Sequence, residues 1–92
     1  MSKIDDFYTT ADEATAAITA LQTWATTIEI SRAKRVEIDV VINTYTNQVQ
    51  RTRTSIDAMA MTKKGKPIAD SVLSSRTALM IGIRDECLKL VK

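Results

Sequence analysis

The side chains that could do chemistry are few. The chain has one cysteine and no histidine, so the commonest general base and metal ligand is missing. Cys87 stands beside Asp85, Glu86 and apolar neighbours. That setting disfavours a thiolate nucleophile, and Cys87 reads as a small buried hydrophobe on a helix face. The carboxylates come as adjacent pairs: Asp5-Asp6, Asp12-Glu13 and Asp85-Glu86. Neighbours on a helix point about 100° apart, so such pairs form neither an acid–base dyad nor a metal cage. A non-enzymatic protein with no catalytic, cofactor or metal site is predicted.

The cations carry more information. From Met1 to Ser31 one base stands against five acids, whereas from Arg32 to Lys66 eight bases stand against three. An acidic first third and a basic middle can attract each other, across a bundle or between subunits; the plainer reading is two solvated faces of opposite bias. The basic residues Arg32, Lys34, Arg35, Arg51, Arg53, Lys63, Lys64 and Lys66 are the candidate partner-binding set. Arginine among them suits bidentate contact with carboxylate or phosphate. Lys63-Lys64-Gly65-Lys66 lacks the upstream glycine and following Ser/Thr of a P-loop, and reads better as the end of a helix. A nucleic-acid backbone is an alternative ligand for the basic middle. However, no aromatic is interleaved with these cations for base stacking, and no helix-turn-helix pattern appears.

These residues need elements to position them. Ile38, Ile42, Tyr45, Val49, Thr52, Ile56 and Met59 recur in steps of four and three, the period of one apolar helical seam. Upstream, Ile4, Phe7, Ala11, Ala14, Ile18, Leu21, Ala25 and Ile28 form a second seam, narrowed by its alanines and flanked by Tyr8 and Trp24. Ser2 is a predicted N-cap, with Asp5 and Asp6 placed at the positive end of the helix dipole. Between the seams, Thr27 to Arg35 has no Gly or Pro, so the chain either turns there or runs on as one long helix. Near-equal segment lengths favour the turn. The alternation of Val36, Ile38, Val40 and Ile42 also allows a strand, although no hairpin turn follows.

Gly65 suits a helix C′ position and Pro67 the first turn of a third helix. That helix presents Ile68, Val72, Leu79, Met80, Ile83, Cys87, Leu90 and Val91, with Ser74, Ala78 and Gly82 as a row of small residues inviting close approach by another helix. Asp85–Lys89, Arg35–Asp39 and Arg53–Asp57 have the spacing of surface ion pairs.

The predicted architecture is all-α: one domain over 1–92, with helices at about 3–30, 36–62 and 67–91, the first two alternatively merged. At 92 residues the chain can bury only a modest core, and hydrophobic residues make up 45% with alanine prominent. Self-association, as a dimer, is therefore expected. No secretory signal or membrane-spanning run is visible, and a lone cysteine fits a reducing compartment, so a cytoplasmic location is expected. The expected function is protein–protein interaction, by self-assembly or by docking on a larger complex to block or bridge it. A small chain without an active-site set has the profile of an accessory factor from a virus or mobile element.

Overall fold

The computed structural model describes residues 2–62 and 68–91 as three helices: α1 (Lys3–Thr27), α2 (Arg32–Thr62) and α3 (Asp70–Leu90). Arg35–Ile42 is helical, and no strand occurs among the described residues. The chain runs up, down and up. Arg53 of α2 meets Asp12 of α1, Tyr8 meets Asp57, and Arg84 of α3 meets Glu13. α1 lies between the others and packs most extensively against α3, while α2 and α3 approach least.

Local chemistry fixes the helix ends. Ser2 caps α1 as expected, its Oγ accepting from the Asp5 N–H at 3.2 Å. The threonines of α1 are compatible with a helix because their hydroxyls donate back to its own carbonyls. Thr10, Thr15 and Thr19 each reach the residue four back, and Thr26 and Thr27 the residue three back. Thr10 is buried, and its bond to the Asp6 carbonyl at 2.7 Å removes the desolvation penalty.

The first two helices are separate. α1 stops at Ile28, whose backbone is extended, and α2 starts four residues before Val36 because Ser31 supplies an N-cap. Its Oγ accepts from the Lys34 N–H at 3.2 Å, and its carbonyl from the Arg35 N–H at 3.0 Å. α3 starts at Asp70 rather than 67. Ile68 and Ala69 are non-helical, and Ala69 makes no side-chain cap. Ile68 and Leu73, both buried and lining one small hollow, occupy the N′ and N4 positions of a hydrophobic staple that fixes how the chain enters the helix. The segment holding Lys63, Lys64, Gly65, Lys66 and Pro67, with its expected cap, lies outside the described residues.

The core follows the two predicted seams. Phe7, Ala11, Ala14, Ile18, Leu21 and Ala25 of α1 are buried, as are Ile38, Ile42, Val49 and Ile56 of α2 and Met80, Ile83 and Cys87 of α3. Thr10, Ala17 and Leu73 are buried in addition. Two expectations for α3 fail. Leu79 is 38% exposed, because it stands on the flank away from the packed stripe. Ser74, Ala78 and Gly82 are also exposed, and a Cβ built on Gly82 meets nothing within 4 Å. At Gly82 the row therefore meets no helix of this chain, while Ser74 and Ala78 only line a hollow shared with Lys3 and Asp6 of α1. Close approach happens at the alanines of α1 instead.

Candidate functional site

Three helix ends meet at the turn end of the bundle: the last turns of α1, the first turns of α2 and the last turns of α3. Between them lies an open cleft of about 380 Å³, lined by Trp24, Lys34, Ile38, Glu86, Lys89 and Leu90. This is within the range of ligand-binding clefts, about 300–1,000 Å³. Each helix contributes for a local reason. Trp24 flanks the α1 seam and stays half-buried. Lys34 stands in the first turn of α2 because Ser31 starts that helix early. Ile38 is the first buried seam residue of α2. Glu86, Lys89 and Leu90 belong to the last two turns of α3.

Arg35 anchors this end. Its guanidinium donates to the Ala25 carbonyl at 3.0 Å, across the turn. α1 has no basic residue in its last turn, so Arg35 supplies from α2 the positive charge that the negative helix end calls for. Lys34 makes a loose pair with Glu37 at 3.8 Å, with both side chains more than half exposed. Such a pair contributes little and leaves the lysine available. Neither Glu86 nor Lys89 makes an ion pair among the described residues.

Tyr45 of α2 lies close enough to Glu86 and Cys87 of α3 to feel their charge. Its phenol pKa is raised by burial first, then by Glu86 and Cys87. The Cys87 thiol is also pushed up, mainly by burial and secondarily by Glu86, so it is a protonated core side chain. No group of three His, Cys, Asp or Glu residues among those described could hold a metal ion.

The described members of the predicted basic set are not brought together. Arg32 and Lys34 are exposed at the turn end. Arg35 is committed to Ala25. Arg53 is committed to Asp12 at 2.7 Å and lies over the Tyr8 ring at 5.5 Å. Arg51 is exposed, but about 28 Å further along α2 than Arg32. Lys63, Lys64 and Lys66 lie outside the described residues. Two of the expected intrahelical pairs give way to contacts between helices: Arg35 reaches the Ala25 carbonyl, while Arg53 reaches α1 and Asp57 accepts from Tyr8; Asp85 pairs within α3, but with Arg84 rather than Lys89. Sequence reading missed Lys89 and Glu86 as candidate site residues because it grouped charge by thirds of the chain, whereas the parallel run of α1 and α3 brings the end of α3 beside the turn. Trp24 did carry a signal: it is the only tryptophan, set beside the seam rather than in it.

No helix among the described residues is long and apolar enough to cross a membrane. The fold defines a class, the small all-α three-helix bundle, and nothing narrower. No family model, curated protein or solved structure matches the chain.

Proposed function

We propose that this chain is a non-enzymatic, protein-binding helical module that docks on an acidic surface of a larger partner and blocks or bridges it, in the manner of an accessory factor of a virus or mobile element. One observation carries this reading: a mostly apolar cleft at the turn end of the bundle, lined by Trp24, Ile38 and Leu90 and edged by Lys34 and Lys89. An apolar centre with a charged edge is the usual anatomy of a protein-binding patch. The dispersal of Arg32 and Arg51 along α2 supports a protein partner over a nucleic-acid backbone, which favours a continuous cationic track. Self-association into a dimer belongs to the same proposal: Val36 and Val40 stand 56% and 58% exposed on the outer face of α2.

The test begins with in-cell cross-linking in the native host, followed by purification of the captured partner. Affinity is then measured for the parent chain and for Arg32→Glu/Lys34→Glu and Arg51→Glu variants, with circular dichroism checking the fold. Arg32→Glu/Lys34→Glu is expected to lose affinity while remaining helical. Strongly salt-dependent binding to random duplex or single strands, with no protein partner, would replace this reading with the nucleic-acid one. Localisation by fluorescent fusion should be cytoplasmic.

A further inference from the structure

The lining of the Trp24 cleft is specific enough to define its occupant, given the protein-binding reading on which this step rests. We infer that the cleft seats an acidic amphipathic helix of a partner protein, with one large apolar side chain against Trp24, Ile38 and Leu90 and carboxylates directed to Lys34 and Lys89.

The argument rests on shape and charge. The lining is chiefly apolar and the hollow is open on one side, which suits a segment laid across it better than an enclosed small molecule. An amphipathic helix buries an apolar stripe in such a groove and leaves its polar flanks at the edge. Among the described lining residues two lysines stand against one glutamate, and the Glu37 pair on Lys34 is long and exposed, so the sign of those flanks is negative. Glu86 adds direction: a ligand carboxylate is drawn to Lys34 and Lys89 and repelled from the Glu86 side, so the segment has a preferred register.

Two other occupants fit less well. A second copy of the chain would have to offer an acidic, apolar segment. The acidic helix, α1, spends its apolar face on its own core, and its Asp12 and Glu13 are engaged by Arg53 and Arg84. A phosphate backbone would meet Glu86 within the lining and lacks the apolar side chains that the hollow would bury.

Trp24 is the sole tryptophan, so its emission reports directly on the cleft. The probe is a synthetic amphipathic peptide of roughly four turns, free of Trp and Tyr, with a Leu/Phe stripe flanked by Glu. Its twin carries Lys in place of each Glu. The acidic peptide is expected to shift Trp24 emission to shorter wavelength and saturate, with the Lys twin about tenfold weaker. Lys34→Glu/Lys89→Glu, with helix content checked by circular dichroism, should lose about tenfold in affinity for the acidic peptide and prefer the Lys twin.

The inference is overturned by an unchanged Trp24 signal, by equal binding of the two peptides, or by undiminished binding to the reversed variant. It is equally overturned if raising the protein concentration alone, or adding random duplex DNA, produces the emission shift. Partner capture decides the broader reading independently. A captured, purified partner with a silent Trp24 sinks the cleft assignment and leaves the protein-binding reading standing, whereas nucleic-acid binding without a protein partner removes both.

Discussion

α1 and α2 are held by different physics, although both carry an apolar seam at the same helical period. α1 buries eight residues and is covered on two sides, chiefly by α3. Alanines 11, 14, 17 and 25 allow that cover to come close. Among its described residues α2 buries only Ile38, Ile42, Val49 and Ile56, over a longer span, and Val36 and Val40 leave its outer face open. It is held along a narrow stripe and supplemented by polar clips: Arg35 to the Ala25 carbonyl, Arg53 to Asp12 and Tyr8 to Asp57. α1 with α3 is therefore the structural unit, and α2 is the helix with the more open surface. Similar periodicity in a sequence does not imply similar burial. The size of the residues in the seam, and what faces each flank, decide it.

The largest effect that would test this contrast is a cavity in each seam. Phe7→Ala should cost about 3–5 kcal/mol, enough to leave a chain of this size largely unfolded. Ile56→Ala, in the α2 seam, should cost about 2–5 kcal/mol and fall below Phe7→Ala, because a one-sided contact relaxes more readily. Both side chains are fully buried, so exposure does not enter the comparison, although the larger phenyl group itself adds to the Phe7 loss. Urea denaturation followed by circular dichroism measures it. A larger loss for Ile56→Ala would show that α2 belongs to the central unit.

Next in size is the start of α2. Ser31→Ala removes the oxygen that accepts from the Lys34 N–H, at a cost of about 1 kcal/mol. Hydrogen exchange should show the loss concentrated in the first turns of α2, with α1 and α3 protected as before. A uniform loss across all three helices would mean that α2 cannot open separately.

Much of this architecture was legible in the sequence. The seam from Phe7 to Ala25 is buried at the positions its 4-3 spacing indicates, and that from Ile38 to Ile56 likewise except at the half-buried Tyr45 and Thr52, because the spacing reflects the single helix face each segment can hide. Ser2 was legible as a cap for an equally local reason. Ser31 was not, since the arginines after it interrupt the seam and mask the helix start; the structure accounts for one of them by sending Arg35 to the end of α1. Burial of Thr10 and Ala17 was not legible either, because both lie beside the 4-3 seam rather than in it. Their burial reflects the second neighbour of α1. The cleft was the least legible feature, because it joins positions 24, 34 and 89, and no periodicity within one helix records which ends adjoin.

Gly82 gives a smaller effect of opposite sign. Its added Cβ meets open space, so Gly82→Ala should stabilise by about 0.5–1 kcal/mol through the backbone freedom it removes from the unfolded chain. Gly82→Leu should also be tolerated. A lower melting temperature for Gly82→Leu, confined to protein concentrations at which the chain self-associates, would place a second copy on the row Ser74, Ala78 and Gly82. That outcome would sharpen the contrast by giving α3, as well as α2, a working outer face.

The smallest effect concerns the polar clip at the far end of α2, and pH reveals it. Tyr8 donates to Asp57, and its pKa is pushed from 10.0 up to about 12, first by that hydrogen bond, then by burial and the Asp57 charge, with Arg53 opposing. The neutral phenol is the form that the folded state prefers. The stabilisation is thus fully present below the unfolded pKa near 10 and is lost as pH rises towards 12. The group is partly exposed, so solvent screening keeps the contribution small. Thermal unfolding at stepped pH should therefore fall more steeply between about 10 and 12 for the parent chain than for Tyr8→Phe, which has no proton to lose there. Asp57→Asn should flatten the same window, since it removes both the anionic acceptor and its charge. Tyr45, whose pKa is also raised, remains in every variant and cancels from the difference. Identical slopes in the parent chain and Tyr8→Phe would mean that Tyr8 does not clip α2 to α1, leaving Arg53 and the narrow apolar stripe to hold that end alone.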